Sequence, residues 1–155
     1  MTQIPRAALV LGLAGLIPFL WSAATHLSPA LSAWAGQFLS PLFLGAVVGL
    51  TYGTVILSFM SGVLWGFATR ADGGKADGGK AAVAYVLSVI PALWVFIMVT
   101  DASPNSIIFL ATGFLGLLLL DAMYVAWGLA PRWWLRLRVM LTVVVLACLA
   151  IPLQV

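Results

Sequence analysis

The chain is 155 residues long, 64% hydrophobic and only 7% charged, whereas soluble domains carry roughly a quarter charged residues. A chain this short cannot bury so much apolar side chain inside itself, because small proteins leave a large share of their area exposed; its surface is built to meet lipid. The formal net charge of +3 is too small an excess to argue for nucleic acid.

Five apolar stretches reach the roughly 20 residues that cross the hydrocarbon: about 7–26, 44–69, 81–100, 105–128 and 134–153. Each is expected to be helical, because backbone groups in lipid have no water to bond. The expected fold is all-α, a single polytopic helical bundle over 1–155. In the first stretch, Pro18 predicts a kink. A rival reading takes Arg6, the apolar run after it and Ser22-Ala23-Ala24 as a cleaved signal peptide, but Pro18 and Trp21 fit a cleavable core poorly.

Between the first and second stretches, Pro29 and Pro41 bracket Leu31, Trp34, Ala35, Phe38 and Leu39 at helical spacing. This predicts a short helix along the membrane surface. The second stretch holds two rows of small residues at spacing four, Gly45-Gly49-Gly53 and Ser58-Gly62-Gly66. Such rows let helix backbones approach closely. Gly53 and Gly62 point nearly opposite ways, so this helix is expected to sit centrally, with different neighbours along its two halves. Tyr52 lies deeper in it than an interfacial aromatic normally does.

The loop from Arg70 to Lys80 repeats Ala-Asp-Gly-Gly-Lys twice in tandem. It matches no phosphate-binding fingerprint and follows no strand, so it reads as a linker. Pro91 predicts a kink in the third stretch. In the fourth, Ser103-Pro104 reads as a helix cap with proline in the first turn, and Gly128 and Pro131 close it.

Asp121, inside the fourth stretch, is expensive in lipid and must face a neighbour. Arg138 enters the fifth stretch from the same side at similar depth, which predicts an Asp121–Arg138 pair. All seven basic residues, Arg6, Arg70, Lys75, Lys80, Arg132, Arg136 and Arg138, fall on one side of a five-crossing chain. The positive-inside rule then puts the N-terminus inside and the C-terminus outside.

One cysteine, Cys148, and one histidine, His26, are too few for a protein-only metal site or paired-histidine haem ligation. No serine or threonine within the spans has a histidine or second carboxylate at its depth, so no nucleophile with its base is expected. The chemistry implied is non-catalytic, with no cofactor. The candidate intramembrane site comprises Tyr52, Gly53, Ser58, Gly62, Trp65, Gly66, Asp121 and Arg138. Two functions follow: an accessory, assembly or scaffold protein of a membrane complex or homo-oligomer, or a binder or transporter of a small or lipid-like molecule in a pocket near Trp65, Asp121 and Arg138.

The run Tyr52-Gly53-Thr54-Val55-Ile56-Leu57-Ser58-Phe59 with Ser61-Gly62-Val63-Leu64-Trp65-Gly66 resembles the transmembrane protein sixty-nine family. Asp121 with Gly128, Pro131, Trp133 and Trp134, and Leu137-Arg138 with Leu141-Thr142, fit it too. The resemblance spans the second to fifth stretches. It implies a small polytopic protein of bacterial inner membranes or mitochondria, with unknown function, and it singles out Tyr52, Ser58, Gly62, Trp65, Asp121 and Arg138.

Overall fold

The computed structural model describes residues 3–71 and 78–154. Seven α-helices are found among them: α1 (Arg6–Ala14), α2 (Ile17–Leu27), α3 (Pro29–Ala35), α4 (Gly45–Ala68), α5 (Gly78–Met98), α6 (Pro104–Ala126) and α7 (Arg132–Ala150). No strand occurs among the described residues. Five segments are long and apolar enough to cross a membrane: Arg6–Leu27, Gly45–Ala68, Lys80–Met98, Pro104–Ala126 and Arg132–Leu153. The chain is a multi-pass helical bundle, with span limits within about two residues of those read from hydropathy at most ends. Of the tandem repeat, residues 72–77 lie outside the described residues; Gly78 already belongs to α5.

The first span is interrupted more sharply than a kink. The Leu16 N–H donates to the Leu13 carbonyl rather than to that of Gly12 four residues back, and Pro18 has no N–H to offer Ala14. Two carbonyls thus leave the helical ladder, and the chain divides into α1 and α2. Pro91 acts differently, because α5 runs unbroken through it. There the Ser61 hydroxyl of α4 donates to the Ser88 carbonyl and accepts from the Ala92 N–H. It thereby bonds both of the groups that the i→i−4 helical pattern would pair with each other.

Helix α4 is central, packed against α2, α5 and α6. Its first half meets α2 and α6 at the glycines: a Cβ on Gly49 would lie 2.6 Å from Ser22 Oγ, and one on Gly53 2.6 Å from Leu110 Cδ2. Its second half meets α5 through Ser61, which bonds Ser88 and Ala92, and through Trp65 against Tyr85; Leu57, Ser61, Leu64 and Ala68 form one buried face at helical spacing. The two halves do take different neighbours. The second small-residue row, however, packs against nothing: Gly62 and Gly66 are exposed and have no atom within 4 Å of a built Cβ. Gly45 belongs to neither row's packing; its φ of +55° serves the turn into α4. There Gly45 N–H donates to Thr25 Oγ1 and its carbonyl accepts from Ser22 Oγ.

The segment after α2 is a short helix only to Ala35, followed by a 3-10 turn at Pro41–Phe43. Trp34 and Phe38 are exposed, Ala35 is buried, and Trp21 Nε1 ties the segment down by donating to the Phe43 carbonyl at 2.8 Å. Gly128, at φ +74°, ends α6 in the left-handed region that favours glycine.

At the start of α6, Ser103 caps the helix by accepting from the Ser106 N–H, with Pro104 in the first turn. Asp101 Oδ1 gathers the Ser103 N–H, the Ser103 hydroxyl and the Ser106 hydroxyl. These bonds, the Ser103 hydroxyl foremost, hold the Asp101 pKa below its usual value. A carboxylate with a lowered folded pKa stabilises while ionised, and that contribution fades as the pH falls through the lowered value. Protection of the first-turn amides of α6 from hydrogen exchange should therefore drop at acid pH in the native protein. In Asp101→Asn it should be weaker at neutral pH and lose this acid dependence; an identical profile in both would refute the assignment.

Candidate functional site

One face of α6 carries Leu110, Phe114, Leu117, Asp121 and Tyr124, all buried. Asp121 is fully enclosed, at 0% exposure. A charge there costs about 2.5–3.5 kcal/mol on the insertion scale, so both oxygens need partners. They come from one face of α7: Trp134 Nε1 donates to Oδ1 at 2.7 Å and Arg138 Nε to Oδ2 at 2.9 Å. Trp134 and Arg138 are four residues apart, which puts them on the same side of a helix. The predicted ion pair is present, and Trp134 is a third member that the pairing argument overlooked; its spacing from Arg138 was the available signal.

Thr142 is four residues further along the same face. Arg138 Nη2 and Thr142 Oγ1 are both buried without a hydrogen-bond partner among the described residues, in residues 5% and 2% exposed. Leaving a buried donor or hydroxyl unpaired costs about 1–3 kcal/mol, more for a charged group.

These two residues line a cavity of about 280 Å³ between the α1–α2 break, α4 and α7. Gly12, Gly15 and Leu16 contribute from the break, and Phe19, Phe59, Met60 and Leu141 supply apolar wall. Leu11 and Phe59, which also line it, are 72% and 64% exposed, so the cavity's rim lies on the face that the bundle turns toward lipid. Arg138 is thus fixed by Nε to Asp121 while its side chain also lines the cavity.

Of the residues picked from the sequence, Asp121 and Arg138 come together. Trp65 does not join them: it is half-exposed and packs edge-on against Tyr85, ring centroids 4.9 Å apart. It lies five residues beyond Met60, about 140° round the helix, which turns it from the cavity that Met60 lines. Tyr52 is half-buried against Phe19, with centroids 5.3 Å apart, and its hydroxyl would lie 3.7 Å from a Cβ on Gly15. It packs beside the helix break. Gly53 is a close-packing position, Ser58 is half-buried, and Gly62 and Gly66 face outward. Thr142 is a polar site member that the sequence reading did not select, while Ser61 serves the α4–α5 contact. Neither carries a signal in composition; only the i+4 column of Trp134, Arg138 and Thr142 points to Thr142. Among the described residues no three of His, Cys, Asp or Glu cluster as metal ligands.

The family model described as Protein of unknown function (DUF3429) matches residues 4–154. Transmembrane protein 69 of Xenopus tropicalis is 33% identical over 150 residues, covering 93% of this chain and 52% of that protein. The chain therefore spans about half the length of the curated relative it matches. The likeness extends over the first span as well, beyond the second to fifth stretches that carried the resemblance. No solved structure matches.

Proposed function

We propose, starting from the fact that this chain belongs to the Protein of unknown function (DUF3429) family, that it is a non-catalytic intramembrane binding protein holding a small lipid-soluble molecule against Arg138. The observation that carries this reading is that Arg138 and Thr142, each with a buried polar atom lacking a partner among the described residues, both line one largely apolar cavity. Small-molecule sites have this make-up, apolar walls with a few converging polar groups. Asp121 is the positioning group, since both its oxygens are already engaged. A carboxylate so occupied is poorly placed for proton transfer, which supports the non-catalytic part. We propose a cell inner membrane as its location, with the N-terminus inside; the one-sided distribution of its basic residues supports that orientation.

A second reading, an accessory or assembly protein of a membrane complex or homo-oligomer, draws on Gly62 and Gly66, which leave room for a foreign helix backbone. Native mass spectrometry after extraction in mild detergent separates the two. The binding reading predicts a small bound mass on the wild type that is absent from Thr142→Val. A stoichiometric large partner with no small adduct would favour the second reading.

A further inference from the structure

Building on the binding reading above, we infer that the cavity takes an uncharged amphiphile drawn sideways from the bilayer, whose hydroxyl or carbonyl head accepts a hydrogen bond from the Arg138 guanidinium. The charge state of the ligand follows from what already surrounds the guanidinium. Arg138 is the only charged residue lining the cavity among the described residues, and its charge is offset by Asp121 at 2.9 Å. An anionic head would place a second negative charge on a cation already neutralised, in surroundings that solvate no excess charge. A cationic head would meet Arg138 directly, whereas Asp121 is enclosed behind it with no exposure.

Hydrogen-bond inventory narrows the head further. A guanidinium N–H only donates, whereas a threonine hydroxyl donates or accepts. A head that accepts from Arg138 can also bond the Thr142 hydroxyl, since both residues line the cavity. Gly12, whose carbonyl is bypassed at the helix break, lines the same cavity. Broken helices at membrane depth are tolerated where they line such a cavity, which gives the interruption at Gly15 and Leu16 a use beyond bending.

Size and location set the rest of the molecule. At about 280 Å³ the space lies just below the usual range for enclosed ligands, roughly 300–1,000 Å³. It holds a head and a short length of chain, and the remainder must pass the exposed rim at Leu11 and Phe59 into the acyl layer. A water-soluble ligand has no such route.

The test uses the full chain in lipid nanodiscs with four photoreactive probes of one chain length: a primary alcohol, a methyl ketone, a carboxylate and a plain hydrocarbon. Labelled residues are mapped by peptide mass spectrometry. The alcohol and ketone should label α1, α2 and α7 around the cavity roughly tenfold more than the other two, about 1.4 kcal/mol of preference. Thr142→Val should lower alcohol labelling and leave hydrocarbon labelling unchanged. Leu11→Trp, an exposed substitution at the rim that leaves every polar group in place, should lower alcohol and ketone labelling and so covers the case in which the first variant folds poorly. Equal labelling by all four probes, or preference for the carboxylate, overturns the ligand class while the binding reading stands. No labelling of the cavity by any probe overturns both.

Discussion

Replacing Arg138 with alanine should cost the protein most of its folded yield. Asp121 would keep its buried position and its Trp134 bond but lose the cation at 2.9 Å. Breaking a buried pair by removing one partner costs about 3–5 kcal/mol, because the other charge is left uncompensated. Against a total stability of about 5–15 kcal/mol, that is enough to shift the population to unfolded or aggregated chains. Removing both charges tells position from charge. The double variant Asp121→Leu/Arg138→Met replaces the pair with apolar groups of similar bulk, a change that is often neutral or stabilising. It should recover the monodisperse peak in size-exclusion chromatography and a cooperative thermal transition, while losing the small bound mass. If Arg138→Ala were as stable as the wild type, Asp121 would not depend on Arg138 and the site would need a different foundation.

The second large effect is expected at Gly53. A Cβ there would sit 2.6 Å from Leu110 Cδ2 and 3.4 Å from both Leu110 Cγ and Phe19 Cε1. Leu110, whose Cδ2 takes the closest approach, is 0% exposed, which leaves it little room to withdraw. Overpacking of this kind costs about 1–3 kcal/mol, and Gly53→Val, with two further methyl groups, should reach the upper end. Gly62→Val is the control. It adds the same atoms to the same helix, but nothing lies within 4 Å of its Cβ, so thermal unfolding in detergent should differ little from the wild type. A Gly62 variant as unstable as the Gly53 variant would mean that the outward row is covered in the native assembly. That result would revive the accessory reading.

The two glycine rows also show how far the sequence could be read. Spacing of four announces a small-residue face but not whether a neighbour arrives, and Gly49-Gly53 and Gly62-Gly66 are indistinguishable on that criterion. The ion pair was legible because a charge in lipid leaves few solutions, and Arg138 is the one long cation at the depth of Asp121. The cavity was not, because it depends on how far the chain opens where Pro18 withholds a donor and the Leu16 N–H turns to Leu13. A proline predicts a disturbed helix, but the size of the disturbance is decided by what packs beside it. Ser61 illustrates the same limit at Pro91: its hydroxyl enters the α5 backbone, and no local pattern in α4 distinguishes it from Ser58.

The most direct test is a density map of the full chain in native-lipid nanodiscs at a resolution that shows side chains. The account predicts Arg138 Nε on Asp121 and an elongated feature running from beside Arg138 and Thr142 past Leu11 and Phe59 toward the lipid. A map in which α1 closes onto α7, with Nη2 and Thr142 Oγ1 bonded to the protein's own backbone, would contradict it.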